Sequence, residues 1–401
     1  MPDSSTHERQ NIRPIEVSSS SRYITESTRY LLWGQAAGRC EFAGCNKPLW
    51  KSPVTQEQVN IAQAAHIWSF SPDGPRGNKG IPPEQLNECS NLMLACHACH
   101  KLIDEDKLGE RYSVAVLQRM KEEHERRIEI ATSIAPERTS QIVHFGANVG
   151  VQSSPLRWEI TAQALFPIRY PATSKSIDLG MINSSFQDHD EAFWSFEAKN
   201  LVRLFSSRIR ERLQGQDLAH MSVFAFAPQP LLILLGGLLS DIPEVEVFQL
   251  HREPQQTWTW PEENLSPQIP LLQEPEDKSG APALVLSISG TIAADRVRRA
   301  FEGPVSIWEV AVPTPDNDVI KSRAQLGTFR SLLRQALDRI KATHGQETLL
   351  HIFPAAPISV AVELGRVRSP KADMPWRLYD QNNARAGFVR ALDLPEALHN
   401  D

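Results

Sequence analysis

Asn91-Leu92-Met93-Leu94-Ala95-Cys96-His97-Ala98-Cys99-His100-Lys101-Leu102-Ile103-Asp104 packs a short apolar run, a cysteine pair and three further ligating side chains into fourteen residues. Residues 91–94 predict a strand, and Cys96 to about Asp104 predicts a helix. Cys96 and Cys99 stand three apart, a spacing that lets two thiolates share one tetrahedral metal. Upstream, Cys40-Glu41-Phe42-Ala43-Gly44-Cys45 supplies a second pair. Two pairs around a long insert predict a four-cysteine structural zinc site. All five cysteines lie between residues 40 and 99, and such clustering points to a metal rather than a disulfide scaffold. Cys89 is left over and reads as a buried thiol.

Inside that frame lie His66, Asn91, His100 and Asp104. Phosphodiester hydrolysis needs an activated water, a metal on the phosphate, and geometry that joins them. A neutral imidazole is a suitable base near pH 7, which suits His66. An amide such as Asn91 can orient that base without competing for its proton. His100 and Asp104 are four apart and share one helix face, so together they can hold Mg²⁺ or a similar ion. A histidine in isolation is more often packed or solvated; the frame is what favours chemistry. His97, between the two cysteines, reads as exposed. Arg76 and Lys79, in a Pro- and Gly-rich loop over residues 71–83, are candidate DNA-phosphate contacts.

The chain has 401 residues, which predicts two or three domains. Its formal net charge is −6, which argues against a protein that wraps nucleic acid by charge alone. Residues 1–131 carry 16 Lys+Arg and 17 Asp+Glu, so any nucleic-acid footprint there is local rather than general. The most apolar run, residues 223–239, is short and contains Pro228, Gln229 and Pro230; no membrane span is expected. The polar, Ser-rich residues 1–22 read as a disordered tail, not a secretory signal, and the expected location is cytoplasmic.

Residues 25–37 predict a helix stopped by Gly38. Ser113 is an N-cap for a second, with Val114, Leu117, Met120, His124 and Ile128 at helical spacing. Its Lys-, Glu- and Arg-rich face reads as solvated. The effector domain is expected over 23–131 and a linker over 132–155. Beyond 156, strands at 285–289, 306–312 and 349–353 and a helix at 323–341 predict an α/β domain to residue 401. An internal repeat runs through it. Val223-Phe224-Ala225-Phe226-Ala227-Pro228 leads to Gly236; Ile352-Phe353-Pro354-Ala355-Ala356-Pro357 leads to Gly365. Phe224/Phe353, Pro228/Pro357 and Gly236/Gly365 are all 129 apart, which predicts two related halves around a cleft.

The pattern Cys40…Cys45…Ala65-His66-Ile67…Asn91-Leu92…Cys96-x-x-Cys99-His100-x-x-x-Asp104 resembles the zinc-knuckle HNH endonucleases over about residues 25–131. It departs from them in three places: the first knuckle is longer, Ala65 stands where many members have Asp, and Asp104 where many have His. The resemblance implies an α+β ββα-metal fold with structural Zn²⁺ and catalytic Mg²⁺. It assigns His66 as base, Asn91 as its orienting group, and His100 with Asp104 as metal ligands.

The second half resembles a SAVED domain of two fused CARF-like, Rossmann-like halves. The resembling pieces are Phe193-Trp194-x-Phe196, the repeat above, Trp258-x-Trp260, and Leu364-Gly365-Arg366. The pairing looks like the HNH–SAVED effectors of bacterial CBASS anti-phage defence. That implies activation by a cyclic di- or trinucleotide messenger, oligomerisation of the chain, and cleavage of double-stranded DNA. Phosphates would sit on helix N-termini after strands and bases on flat side chains. Trp194, Lys199, Ser289, Gly290, Ser359 and Arg366 are the candidate ligand contacts; for the tryptophans 194, 258, 260 and 308, core packing is the default. Two other readings remain open: a restriction-type nuclease whose C-terminal domain reads modified DNA, and a non-catalytic zinc protein that only docks nucleic acid.

Overall fold

Thr25 opens the first helix, its Oγ1 accepting the Thr28 N–H at 3.2 Å. Helix α1 spans Glu26–Gln35 and stops where Ala37 and Gly38 turn left-handed, with φ of 50° and 63°. A Cβ on Gly38 would press on the Trp33 and Trp50 rings at 3.2 Å, so glycine is needed there for space as well as for conformation. The computed structural model describes residues 23–149, 155–180, 190–215, 218–240, 242, 244–261, 268–382 and 387–394. The expected tail, 1–22, lies outside them. The chain divides into two units, Met1–Ser133 and Ile134–Asp401.

In the first unit, strand β1 (Ala62–His66) pairs antiparallel with β2 (Leu92–Cys96), and His66 stands opposite Leu92. All five residues of β2 are buried. A short helix α2 (Pro83–Leu86) precedes β2, and α3 (His97–Glu105) follows it without a loop, with Cys96 as its N-cap. The Ser113 hydroxyl accepts the Val116 N–H and opens α4 (Val114–Thr132) as the spacing predicts. Leu117, Lys121 and His124 form its buried face.

The second unit holds two sheets. Strand β3 (Thr139–Gly146) is parallel to β4 (Tyr170–Pro171), β5 (Ile177–Asp178) and β6 (Met221–Phe226), and β6 pairs with β7 (Val245–Val247). Around this sheet run α5 (Trp158–Ala164), α6 (Glu191–Phe205) with a π turn over Ser206–Arg210, α7 (Glu211–Gln214) and α8 (Gln229–Leu238). The second sheet is ordered β13-β12-β11-β9-β10-β8. Its parallel centre is β9 (Ala281–Ser287), β10 (Val305–Ala311), β11 (Leu350–Ala355) and β12 (Trp376–Asn382); β8 (Leu271–Gln273) and β13 (Gly387–Leu394) are antiparallel edges. Helices α9 (Ala294–Arg298), α10 (Arg323–His344) and α11 (Ile358–Val367) complete it.

Three sequence expectations need correction. Residues 132–155 are not simply a linker, because β3 lies within them and is buried almost throughout. The alternation of Trp258 and Trp260 reads as a strand, but the segment is loop; both rings are buried as expected. Cys89 is half-buried, and its thiol donates to Gln35 Oε1 at 2.8 Å.

The apolar run at 223–239 becomes β6 and α8, and every residue of α8 from Pro230 to Leu238 is buried. A helix that is apolar on all sides belongs inside a core. One cluster of buried side chains, from Ile142 to Leu394, runs through both halves of the unit. No helix among the described residues is long and apolar enough to cross a membrane.

Candidate functional site

The four cysteines meet. Cys40 follows the left-handed turn that ends α1, Cys45 follows Gly44 at φ 80°, and Cys96 and Cys99 sit at the start of α3. Their sulfurs all lie within 4.8 Å of one another, and Cys45 Sγ is 3.9 Å from Cys96 Sγ. Four thiolates around one zinc ion would stand about 3.8 Å apart. Burial pushes the Cys40 thiol up to about 12 and raises Cys99 as well. Such thiols give up their protons to a cation more readily than to water. The cluster could hold a metal ion. Cys96 also anchors the frame by donating its N–H to Cys40 Sγ at 3.3 Å.

His66 ends β1. Its Nε2 lies 3.0 Å from Asn87 Oδ1, and its ring stands edge-on to Phe70 at 5.6 Å. Asn91 was expected to orient it, but the Asn91 side chain is spent on backbone. Its Oδ1 accepts the Trp68 N–H at 2.7 Å, and its Nδ2 donates to Trp68 O and Leu86 O at 3.2 and 2.9 Å. Asn91 is buried and clamps the chain leaving β1 to the end of α2. Asn87, which carries the amide that meets His66, has no motif spacing to announce it.

His100 and Asp104 do share a face of α3, with Nδ1 3.1 Å from Oδ2. One imidazole nitrogen and one carboxylate suit an ion that keeps several waters. Arg76 is not placed to meet DNA. Its guanidinium donates to Ile67 O at 2.8 Å, Ile103 O at 3.3 Å and His66 O at 3.4 Å. Burial pulls its pKa below the usual value, against the nearby Asp104 and Asp106 carboxylates. Lys79 is exposed, with its ammonium 4.9 Å from the Trp68 ring centre. His97 is exposed as expected.

In the second unit a cavity of about 460 Å³ opens where β6, β9 and β11 end and α8 and α11 begin. Ala227, Pro228 and Gln229 line it from one half, and Ala356, Pro357 and Ile358 from the other. These pairs repeat the 129-residue offset. Gln249, Arg252, Ser289, Asn317, Asp380 and Gln381 add polar groups. Arg252 is the one cation and Asp380 the one anion among its described lining residues.

Of the six ligand candidates, only Ser289 lines this cavity, with Gly290 next to it in sequence. Ser359 is fully buried, and its N–H and hydroxyl both donate to Gln249 Oε1, at 3.1 and 2.8 Å. Trp194 is buried against Phe193. Arg366 pairs with Glu363 at 2.7 Å toward the far end of α11. Lys199 is exposed on α6 and does not line the cavity. The N-terminus of α11 is partly occupied from within: besides Gln249 on Ser359, Gln229 Oε1 accepts the Ala356 N–H at 3.1 Å.

No curated protein is similar enough to the chain to match it. Among solved structures, the chain is similar to an Acinetobacter baumannii Cap4 SAVED/CARF-domain containing receptor with the cyclic trinucleotide 2'3'3'-cAAA. The identity is 14% and the TM-score 0.41, over 74% of this chain and 61% of that one. The same receptor with 3'3'3'-cAAA gives 13% and 0.41, over 74% and 66%. A Moraxella osloensis Cap4 receptor gives 13% and 0.40, over 79% and 71%. The chain thus spans about 61% of the length of the first of these receptors. Residues 201–394 match the family model described as the SMODS-associated and fused to various effectors sensor domain, SAVED. The second unit therefore contains a SAVED sensor domain.

Proposed function

We propose that this chain is a messenger-gated, metal-dependent DNA endonuclease of anti-phage defence, with an HNH-type nuclease in the first unit and a cyclic-oligonucleotide sensor in the second. One observation carries the nuclease reading. Arg76 bonds the carbonyls of His66, Ile67 and Ile103. It thereby fastens the end of β1 to α3 and holds the base candidate and the His100–Asp104 pair on one small frame. A protein that used its cysteine knuckle only for docking has no need of that pairing.

In this reading Cys40, Cys45, Cys96 and Cys99 hold Zn²⁺ and brace the fold. His100 and Asp104 hold Mg²⁺ or a similar ion, which when bound offsets charge on the scissile phosphate. His66 takes a proton from water, and the water oxygen bonds to phosphorus. The bond to the 3′ oxygen breaks, and that oxygen takes a proton from solvent. Double-stranded DNA is the substrate. The sensor reading rests on the SAVED match and on a polar, amide-rich cavity at strand ends, where ligands of open α/β sheets bind. A cyclic di- or trinucleotide there would bring chains together and switch cleavage on.

The test is plasmid cleavage with Mg²⁺, with and without a panel of cyclic di- and trinucleotides, by wild type and His66→Ala. Cleavage by wild type alone, and only with one messenger, is the expected result. Cleavage that ignores every messenger and follows DNA modification would replace the gate with a restriction-type enzyme. Undiminished cleavage by His66→Ala would sink the nuclease assignment.

A further inference from the structure

We infer that Arg138 and Arg169 form a phosphate-binding pair for the DNA strand, at the end of the first sheet opposite the cavity. The inference rests on the reading of the first unit as a DNA nuclease. The parallel pairing of β3 with β4 sets Thr139 beside Tyr170. Arg138 and Arg169 each stand one residue before that pair, and neighbours across a parallel pair project on the same side. Hydrogen bonds fix both backbones. The Arg138 N–H donates to Ala135 O at 2.9 Å, its carbonyl accepts the Tyr170 N–H at 3.2 Å, and the Arg169 N–H donates to Leu165 O at 2.9 Å. The Tyr170 hydroxyl donates to Pro136 O at 2.7 Å and pins the same turn. The cavity lies where β6 ends; the arginines lie where β3 and β4 begin.

Arg138 is exposed and Arg169 half-buried, and neither guanidinium has a hydrogen-bond or ion-pair partner among the described residues. Burial, and then the Arg138 charge, hold Arg169 below its usual pKa. Of the two carboxylates that act on Arg169, Glu246 is already paired with Arg323, which leaves Glu244 against two cations. His220, one residue before β6, feels both arginines, stays neutral near pH 7, and is held by Ser140 Oγ at 2.8 Å from its Nδ1. Two like charges side by side, one of them partly desolvated, form an arrangement that an anion relieves. The guanidinium fork fits phosphate oxygens two at a time. DNA is the phosphate source that the rest of the chain calls for. Residues 1–131 carry 16 Lys+Arg against 17 Asp+Glu, so the first unit has no excess of positive charge to hold a duplex. Arg76 is spent on carbonyls. Arg138 follows Ser133, the last residue of the first unit, by five residues, or roughly 17 Å of extended chain.

The experiment reads the salt dependence of DNA binding. Fluorescence anisotropy of a labelled duplex is followed from 50 to about 200 mM salt, on the full-length chain carrying His66→Ala, with and without the panel of cyclic di- and trinucleotides. A phosphate contact contributes about 0.9 to the slope of log K against log salt. Arg138→Ala and Arg169→Ala should each lower the slope by about that much, and the double variant by about twice as much, with Kd weakened about tenfold per arginine. Arg169→Lys should keep most of the slope. Lys199→Ala, an exposed cation elsewhere on the second unit, should leave it unchanged. A slope indifferent to both arginines, or lowered equally by Lys199→Ala, would overturn the inference. Inorganic phosphate that raises the melting temperature through Arg169, with no effect of Arg169→Ala on DNA binding, would put a free phosphate in the pair and overturn the assignment to DNA. An arginine-dependent slope in a chain whose His66→Ala variant still cuts DNA would uphold the pair and overturn only the assignment of the base.

Discussion

Gly236 and Gly365 face one another where α8 crosses α11, so closely that neither has room for a Cβ. A methyl on Gly236 would stand 1.9 Å from Val362 O, and one on Gly365 would stand 2.0 Å from Ile233 O. The two clashing carbonyls are themselves 129 residues apart, so the contact is reciprocal about an internal near-twofold axis. Both helices depend on it, and both begin at the cavity. Gly236→Ala should therefore destabilise the second unit by about 3 kcal/mol, at the upper end of overpacking costs. Gly327→Ala on α10, where a Cβ meets nothing within 4 Å, should stabilise by about 0.5–1 kcal/mol. Urea unfolding of both variants checks the contrast.

The Arg76 guanidinium donates to three backbone carbonyls, those of His66, Ile67 and Ile103. Arg76→Ala should cost about 2 kcal/mol of stability in the first unit, and Arg76→Lys should not restore it, because an ammonium cannot span three carbonyls in a planar fork. Lys79→Ala should leave the melting curve unchanged. Differential scanning calorimetry separates the two loop cations; equal effects would return Arg76 to the DNA surface.

Burial lowers the pKa of His220, His251 and His351 from 6.5 to about 4. At His220 the Arg169 and Arg138 charges add to the effect, and His351 feels Arg377 in the same way. Among the described residues neither ring nitrogen of His251 has a hydrogen-bond partner, and its ring lies against Trp260 at 5.7 Å. Between pH 6.5 and 4 the unfolded chain binds more protons than the folded one, so stability is present above 6.5 and is lost as pH falls. Each group contributes up to about 1.4 kcal/mol per pH unit in that window. The melting temperature should drop across it, and His251→Leu should make the drop shallower.

Arg252 lines the cavity on a backbone fixed by Asp318, whose carboxylate accepts the Arg252 and Glu253 N–H groups at 2.9–3.0 Å. Arg252→Ala should weaken binding of the activating cyclic nucleotide about tenfold or more, the worth of one charge-assisted hydrogen bond. Lys199→Ala should leave binding as it was. Isothermal titration calorimetry with the messenger identified by plasmid cleavage decides it, and a loss at Lys199 instead would move the site to α6.

Spacing made part of this protein legible. Cysteine pairs, a four-residue His–Asp step and a repeated Phe-Pro-Gly offset are local signals; the structure brings together the cysteines, the His–Asp pair and the repeated prolines and glycines, while Phe224 and Phe353 pack in separate clusters. What escaped was carried by polar side chains that meet only after folding. Strand β3 was hidden in an expected linker because its buried residues include Ser140, Gln141 and His144. Their partners are His220 and Ser222, Lys175 O, and Thr161. Asn87 and Gln249 escape notice, and Arg76 is given the wrong role, for the same reason: each matters through a loop-borne contact that no periodicity encodes.

The cavity at the internal axis has matched floors and unmatched walls. Ala227-Pro228-Gln229 and Ala356-Pro357-Ile358 repeat one another, while Gln249 and Arg252 come from one half and Asp380 and Gln381 from the other. Two identical subunits meeting on such an axis would have to offer both ends of a ring the same groups. A fused pair is free of that rule. A cyclic molecule with unlike bases or unlike linkages would then have a single preferred way round, and its arrival would carry a direction as well as an identity.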